Sequence, residues 1–133
     1  MPHQLTFQNM VLYDPSKEGI TIEVHLKLDD KIAILEAKID TGASYFIFQR
    51  KHGESLGLDI ESGMPLKVGT VTGSFIAYGH NITLSVLDYH FDTMVYFAAS
   101  DTFPRNVLGR HGWLEQLQVG IVDYDGKLFL STY

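Results

Sequence analysis

The residues best suited to chemistry in this sequence are Asp40, Thr41 and Gly42. They directly follow a run of mostly aliphatic side chains at 32–39, which indicates a strand that ends at Asp40. In that position Asp40 offers a carboxylate, and the Thr41 hydroxyl can bond to nearby backbone. Gly42 permits backbone angles and close approaches that a Cβ forbids. Because Asp and Gly are also common turn formers, an ordinary turn is the alternative interpretation.

The residues that follow favour a functional loop over a surface turn. Small Ala43 and Ser44 lead into an apolar run from Tyr45 to Phe48. Apolar segments therefore flank the loop on both sides, which a surface turn does not need. A carboxylate held in such a loop is poorly placed for solvation and well placed beside a second carboxylate.

Two carboxylates in contact can hydrolyse a peptide bond, because like charges cannot both ionise and the pair keeps one proton. The ionised member takes a proton from water while the protonated member donates to the carbonyl oxygen. The chain has no second Asp-Thr-Gly or Asp-Ser-Gly, and Asp125-Gly126 lacks the preceding strand pattern. We therefore predict an isologous homodimer in which a two-fold axis brings two copies of Asp40 together.

Composition argues against several other function classes. The 133 residues include no cysteine, which excludes thiol catalysis, disulfides and Cys-based zinc sites. The six histidines are dispersed and no phosphate-binding or Gly-x-Ser-x-Gly motif occurs, so we expect no metal and no cofactor. A Ser-His-Asp arrangement stays open, since the fold assembles such triads.

Charge and hydropathy give the expected partners and location. A net charge of −6 with scattered Lys and Arg residues argues against nucleic acid as a partner. The N-terminus lacks the pattern of a signal peptide, and no apolar run is long enough to span a membrane. We expect a cytoplasmic protein without a membrane partner.

The rest of the chain predicts short strands and two brief helices. We predict strands near residues 20–28, 31–39, 65–69, 74–79, 81–87, 91–97, 107–109, 119–124 and 127–133, with 31–39 the more deeply buried partner of 20–28. A polar segment at 49–57 predicts a helix with His52 on its surface, and 110–117 predicts a helix with Trp113, Leu114 and Leu117 inward. This pattern indicates one all-β domain at 20–133, a sandwich or closed barrel, preceded by an arm at 1–19 that is irregular or an edge strand.

A hairpin at 65–79 is the second informative stretch. Its arms favour strands, whereas its centre is rich in Gly and Thr and has little to anchor it. Such a tip is typical either of an ordinary surface hairpin or of a lid that closes over a bound chain.

The segment Ile39-Asp40-Thr41-Gly42-Ala43-Ser44 resembles the catalytic loop of the retropepsin-like aspartic proteases. Two more elements occur in the family's order: a hairpin centred on Val71-Thr72-Gly73, similar in position to the flap, and Val107-Leu108-Gly109-Arg110, similar to the segment behind the catalytic loop. The resemblance implies a closed retropepsin-like barrel and a homodimeric endopeptidase acting on peptide or protein substrates.

The resemblance also implies roles for individual residues. Asp40 would be catalytic, Thr41 would bond across the dimer axis and Gly42 would contact substrate backbone. The implied substrate-binding residues are Gly42, Ala43, Ser44, Val71, Thr72 and Gly73. Viral members usually carry an acidic residue at the position of Ser44, and it pairs with the arginine that corresponds to Arg110. At the position of His111 they usually carry Asn or Asp. With its longer N-terminal arm, the chain looks more like cellular or bacterial members.

Two alternatives remain. One is a non-catalytic retropepsin-like domain for peptide binding or assembly, monomeric or with its two loops apart. The other is a plain β-sandwich in which Asp-Thr-Gly is only a turn.

Overall fold

The computed structural model describes all residues, 1–133, as ten strands and a few short helical elements. The strands are β1 (Asn9–Leu12), β2 (Thr21–Leu28), β3 (Lys31–Ile39), β4 (Ile47–Phe48), β5 (Met64–Thr70), β6 (Gly73–Val86), β7 (Tyr89–Ala98), β8 (Val107–Leu108), β9 (Gln118–Val122) and β10 (Lys127–Ser131). The helical elements are the α-helix α1 (Arg50–Ser55) and the 3-10 turns Ile60–Ser62, Leu114–Gln116 and Asp123–Asp125. The prediction of an all-β fold is confirmed, and none of these helices is long and apolar enough to cross a membrane.

Six strands of a seven-stranded sheet form a closed barrel. The strand order of this sheet is β2-β3-β8-β4-β7-β6-β5, and β2 also pairs with β6, which joins the two sides of the sheet. Strand β5 lies outside this ring and extends β6 into the predicted hairpin. Fully buried side chains such as Trp113, Phe46 and Phe97 fill the interior. Closure therefore confirms the barrel, rather than the sandwich, as the architecture.

The burial of β3 differs from its prediction. Ala33, Leu35 and Ala37 face the core, but Ile32 is 55% exposed and Ile34 59% exposed. Successive residues of a strand point to opposite faces, and only one face of β3 is covered. The dense apolar run therefore does not mean burial on both faces.

The first predicted helix forms at α1, and Gly57 follows it with a left-handed φ of 77°. Gly53 packs against Ile60 and Phe97, where a Cβ would lie 2.9 Å from the Phe97 ring. The prediction that His52 is a solvated surface residue is wrong, because its ring is half-buried beside Asn106. This burial lowers the pKa of His52 below its usual value.

The hairpin strand β6 is longer than predicted. The segments predicted at 74–79 and 81–87 are one continuous strand of 14 residues. Gly79 does not interrupt it, because this glycine is a packing residue: a Cβ there would lie 2.8 Å from Met94 Sδ and from Tyr96. The turn into β7 is made by Leu87 and Asp88, with Leu87 at a φ of 52°.

The helix predicted at 110–117 is reduced to the 3-10 turn Leu114–Gln116. Gly112 adopts a left-handed φ of 97°, which stops a helix from beginning before it. Trp113 and Leu117 are nevertheless buried as predicted, while Leu114 is only partly buried.

A second, three-stranded sheet has the order β1-β10-β9. Within the arm at 1–19, β1 is therefore an edge strand, paired with the last strand of the same chain. Phe7 adds a tilted contact with Phe129, with ring centroids 5.5 Å apart. Asn9 Nδ2 also donates to the Tyr89 hydroxyl at 2.6 Å, which ties this sheet to the barrel.

Candidate active site

The Asp40 loop begins where β3 ends and is held by backbone hydrogen bonds. The Asp40 N–H donates to the carbonyl of Leu108 at 3.0 Å, which fixes the start of the loop against β8. The Gly42 N–H then donates to Asp40 Oδ1 at 2.9 Å, and the Ala43 N–H donates to the Asp40 carbonyl at 3.2 Å. The carboxylate is thus half-buried with one oxygen oriented by backbone and the other left without a partner in the chain.

The segment after β8 supports the other side of the loop. The Arg110 N–H donates to the Ala43 carbonyl at 2.9 Å, and the His111 N–H donates to the Ser44 carbonyl at 3.0 Å. Gly109 directly precedes these two residues and is buried, and a Cβ there would lie 2.8 Å from the Ala43 carbonyl oxygen. Residues 108–111 therefore fix the position of residues 40–44.

Thr41 lies at the exposed tip of this loop. Its side chain makes no hydrogen bond within the chain, and Gly42 beside it is also exposed. A Cβ on Gly42 would lie 3.3 Å from Asp40 Oδ1, tighter than ordinary van der Waals contact. The glycine therefore leaves room for the Gly42 N–H to reach the carboxylate.

A cleft of about 400 Å³ opens beside the Asp40 carboxylate. The loop and β4 form one wall and β5 forms the other; the lining residues are Asp40, Gly42, Ala43, Ser44, Tyr45, Ile47, Leu66, Lys67, Val68 and Gly69. Of the predicted substrate-binding residues, the structure brings Gly42, Ala43 and Ser44 to this cleft.

The hairpin tip lies away from the cleft. Val71, Thr72 and Gly73 do not line it, and Val71 is fully exposed. The tip is closed locally, since the Thr70 hydroxyl donates to the Gly73 carbonyl at 3.1 Å. The prediction of substrate contacts at the tip is not tested by this lining and stays a prediction. Strand β5 lines the cleft but was not among the predicted site residues, because the alternation of Leu66 and Val68 around Lys67 indicates a strand but not its position beside the loop.

An apolar cluster lies behind the cleft. Ile47, Ala77 and Tyr96 form its buried centre, and its partly buried members are Leu66, Val68, Phe75, Met94 and Phe103. The Tyr45 ring packs edge-on against Tyr96 with centroids 5.3 Å apart. The cleft thus combines apolar side chains with one carboxylate, an arrangement suited to an extended peptide with apolar side chains.

Titratable groups near the loop are few. Arg110 is exposed and forms no salt bridge within the chain, but Glu115 lies close enough for the Arg110 charge to act on it. Glu115 accepts the Gly112 N–H at 2.9 Å and lies near His111, and these contacts lower the pKa of Glu115. No three His, Asp or Glu side chains converge as metal ligands.

A Ser-His pair elsewhere does not form a second candidate site. Ser85 Oγ lies 2.7 Å from His90 Nδ1 across β6 and β7. However, Ser85 is only 4% exposed, and no carboxylate accepts from His90. A substrate carbonyl could not reach this hydroxyl, so the pair lacks the features of a nucleophilic triad.

Comparison with known proteins agrees with this geometry at the level of the fold. No protein-family model and no curated protein matches the chain. Among solved structures, the chain is similar to the EIAV protease complexed with the inhibitor HBY-793, at a TM-score of 0.57 and 24% identity. The match covers 75% of this chain and 88% of the viral one.

The chain has a retropepsin-like fold. This confirms the fold implied by the Asp40 loop, the hairpin and the segment at 107–110. In this retropepsin-like fold the candidate carboxylate, the cleft and the hairpin occur together in one chain.

Proposed function

We propose that the protein is an aspartic endopeptidase that cleaves extended polypeptide segments. The observation that carries this proposal is the Asp40 carboxylate, which lines a cleft with a partly apolar wall and has one oxygen bound by the Gly42 N–H at 2.9 Å. A carboxylate whose only role was to form a turn would not need a second backbone segment, at Leu108–His111, to fix its loop.

The proposed mechanism uses two copies of Asp40 that share one proton. The ionised copy removes a proton from a water molecule, which attacks the peptide carbonyl carbon, while the protonated copy donates to the carbonyl oxygen. The backbone hydrogen bonds around Asp40 would keep both carboxylates in one orientation during the proton transfers. The chemistry requires no metal or cofactor.

Each chain supplies half of this site, so the proposal includes a homodimer. Thr41, exposed and without a partner in its own chain, is available to bond across the two-fold axis. The three-stranded sheet leaves two strand edges free, those of β1 and β9, and we propose that a partner chain pairs with β9. This edge strand carries no charge and leaves Ile121 42% exposed, whereas edges that avoid pairing are usually charged or interrupted.

The substrate would lie between the Asp40 loop and β5 as an added strand. Gly42, Ala43 and Ser44 would contact it from one wall, and residues 66–69 would contact it from the other. We further propose that the tip at Val71–Gly73 moves towards the bound peptide and excludes water from the carboxylates.

Ser44, His111 and the arm at 1–19 lead us to group the protein with cellular or bacterial retropepsin-like domains rather than with compact viral enzymes.

A second candidate function is non-catalytic peptide binding. The observation that favours it is that a single chain already forms a cleft that contains only one aspartate, so an undimerised chain would bind peptides without cleaving them.

Asp40→Asn tests the proposal, with Asp88→Asn in the exposed β6–β7 turn as a control. Cleavage of an unfolded protein substrate and of a peptide library is measured by mass spectrometry. We expect Asp40→Asn to lose hydrolysis while keeping its circular dichroism spectrum and still binding peptide, and Asp88→Asn to cleave normally. Unchanged cleavage by Asp40→Asn would refute the catalytic assignment; peptide binding without cleavage by the wild-type dimer would support the second candidate function.

A further inference from the structure

The cleft is lined by one lysine that has no acidic partner, and its charge predicts which substrate side chains the cleft selects. Of the lining residues only Asp40 and Lys67 are ionic; the others are small, aliphatic, hydroxyl-bearing or aromatic. Asp40 is committed to the proposed proton transfers. Lys67 is exposed and forms neither a salt bridge nor a side-chain hydrogen bond within the chain. Lys67 therefore contributes one ammonium group at the rim of the cleft, with no carboxylate bound to it.

Lys67 lies on β5, the wall of the cleft that faces the Asp40 loop. Leu66 and Val68, its neighbours, pack on the apolar cluster behind the cleft, so Lys67 lies on the opposite, exposed face of the strand. A peptide that pairs along β5 would bring alternate side chains past this ammonium group at the rim. Its charge would act on a side chain away from the scissile bond.

Arg110 is the other cation near the Asp40 loop, but it does not line the cleft. It donates its backbone N–H to Ala43, and its charge acts on the nearby Glu115 carboxylate. The chain as a whole is acidic, at a net charge of −6, so an unpaired lysine at the cleft stands against the general trend. Screening at physiological salt limits an exposed charge to about 8 Å, so the local charge of Lys67, rather than the net charge, acts on a bound peptide.

We infer that the cleft selects extended peptides that carry a Glu or Asp side chain next to their apolar core, and that Lys67 is the specificity-determining residue. This inference rests on the proposed function, because it concerns the substrate of the Asp40 site. Exposed ion pairs are weak, so the selection is expected to be about two- to fivefold in kcat/KM for Glu over Gln at the matching position.

The test uses one parent peptide with an apolar core and a set of derivatives carrying Glu, Gln or Lys at each flanking position. The wild type is compared with Lys67→Glu and with the control Lys51→Glu, an exposed lysine on α1 with the same change in charge. The measured quantity is the ratio of kcat/KM for Glu to that for Lys at each position, which cancels general loss of activity. We expect one position to favour Glu in the wild type and Lys51→Glu, and to favour Lys in Lys67→Glu.

Equal ratios in all three proteins, with the parent peptide still cleaved, would overturn this inference and leave the proposed function intact. If the wild type cleaves no peptide, the proposed function fails. The binding constants of the Glu and Lys peptides are then measured by fluorescence polarisation, and their ratio replaces the ratio of kcat/KM. A charge preference that reverses in Lys67→Glu would still support Lys67 as the specificity residue of a binding cleft, and no reversal would refute it.

Discussion

Gly109→Ala tests how the segment after β8 positions the Asp40 loop. The new Cβ would lie 2.8 Å from the Ala43 carbonyl oxygen and closer still to that of Tyr45, and both are backbone atoms that cannot turn away. Overpacking of this kind costs about 1–3 kcal/mol. Displacement of the loop would also weaken the hydrogen bonds from Arg110 and His111, worth about 0.5–1.5 kcal/mol each. We expect the free energy of unfolding to fall by about 2–6 kcal/mol.

The assay is urea unfolding followed by circular dichroism, with peptide cleavage measured in parallel. A displacement of about 1 Å at the reacting groups lowers turnover about 100-fold, so cleavage should fall more than the folded fraction does. Gly69→Ala is the control for stability, because its Cβ would have no atom within 4 Å; it should change stability by less than about 1 kcal/mol. A Gly109→Ala protein as stable and active as the wild type would refute the bracing role.

Three further predictions concern the hairpin, His52 and the β9 edge. Amide exchange at 69–79 should slow when a transition-state-mimicking peptide inhibitor binds, because closure adds backbone hydrogen bonds to the tip; equal protection with inhibitor bound would mean that the hairpin is not a lid. Burial lowers the pKa of His52 below the usual 6.5, so the unfolded chain binds the proton first on acidification and stability falls from about pH 6.5 downwards. His52→Gln should remove this part of the pH dependence in urea unfolding, and an unchanged slope would contradict it. Ile121→Lys should weaken dimerisation in sedimentation experiments, unlike the control Ile34→Lys on the exposed face of β3; equal dimerisation of the two would place the interface elsewhere.

The strands around Asp40 were predictable because their local signals agree with the fold. The alternation from Ile20 to Leu28 and the change from aliphatic residues to Asp40 mark β2, β3 and the loop that follows. The burial of β3 was not predictable from hydrophobicity alone, since Ile32 and Ile34 resemble core residues. The signal was Glu36, which lies on the same exposed face of the strand two residues further on.

Tertiary contacts decided the elements that sequence reasoning missed. Gly79 would interrupt most strands, but Met94 and Tyr96 occupy the space where its side chain would be. Gly112 was compatible with a helix by spacing, but its left-handed backbone leaves only a 3-10 turn. The β5 wall of the cleft depends on how the hairpin lies over the loop, and no pattern within residues 64–70 gives that orientation.

The most direct test of the central claim mixes wild-type subunits with Asp40→Asn subunits. If each active site needs one Asp40 from each chain, every mixed dimer is inactive, and random exchange obeys mass action. At a fixed wild-type concentration well above the dimer dissociation constant, an equal amount of Asp40→Asn should leave about half of the activity, and a tenfold excess about a tenth. The same amounts of an unrelated inert protein should leave the activity unchanged. Activity that stays constant as Asp40→Asn is added, while exchange of labelled subunits is observed, would contradict the shared site.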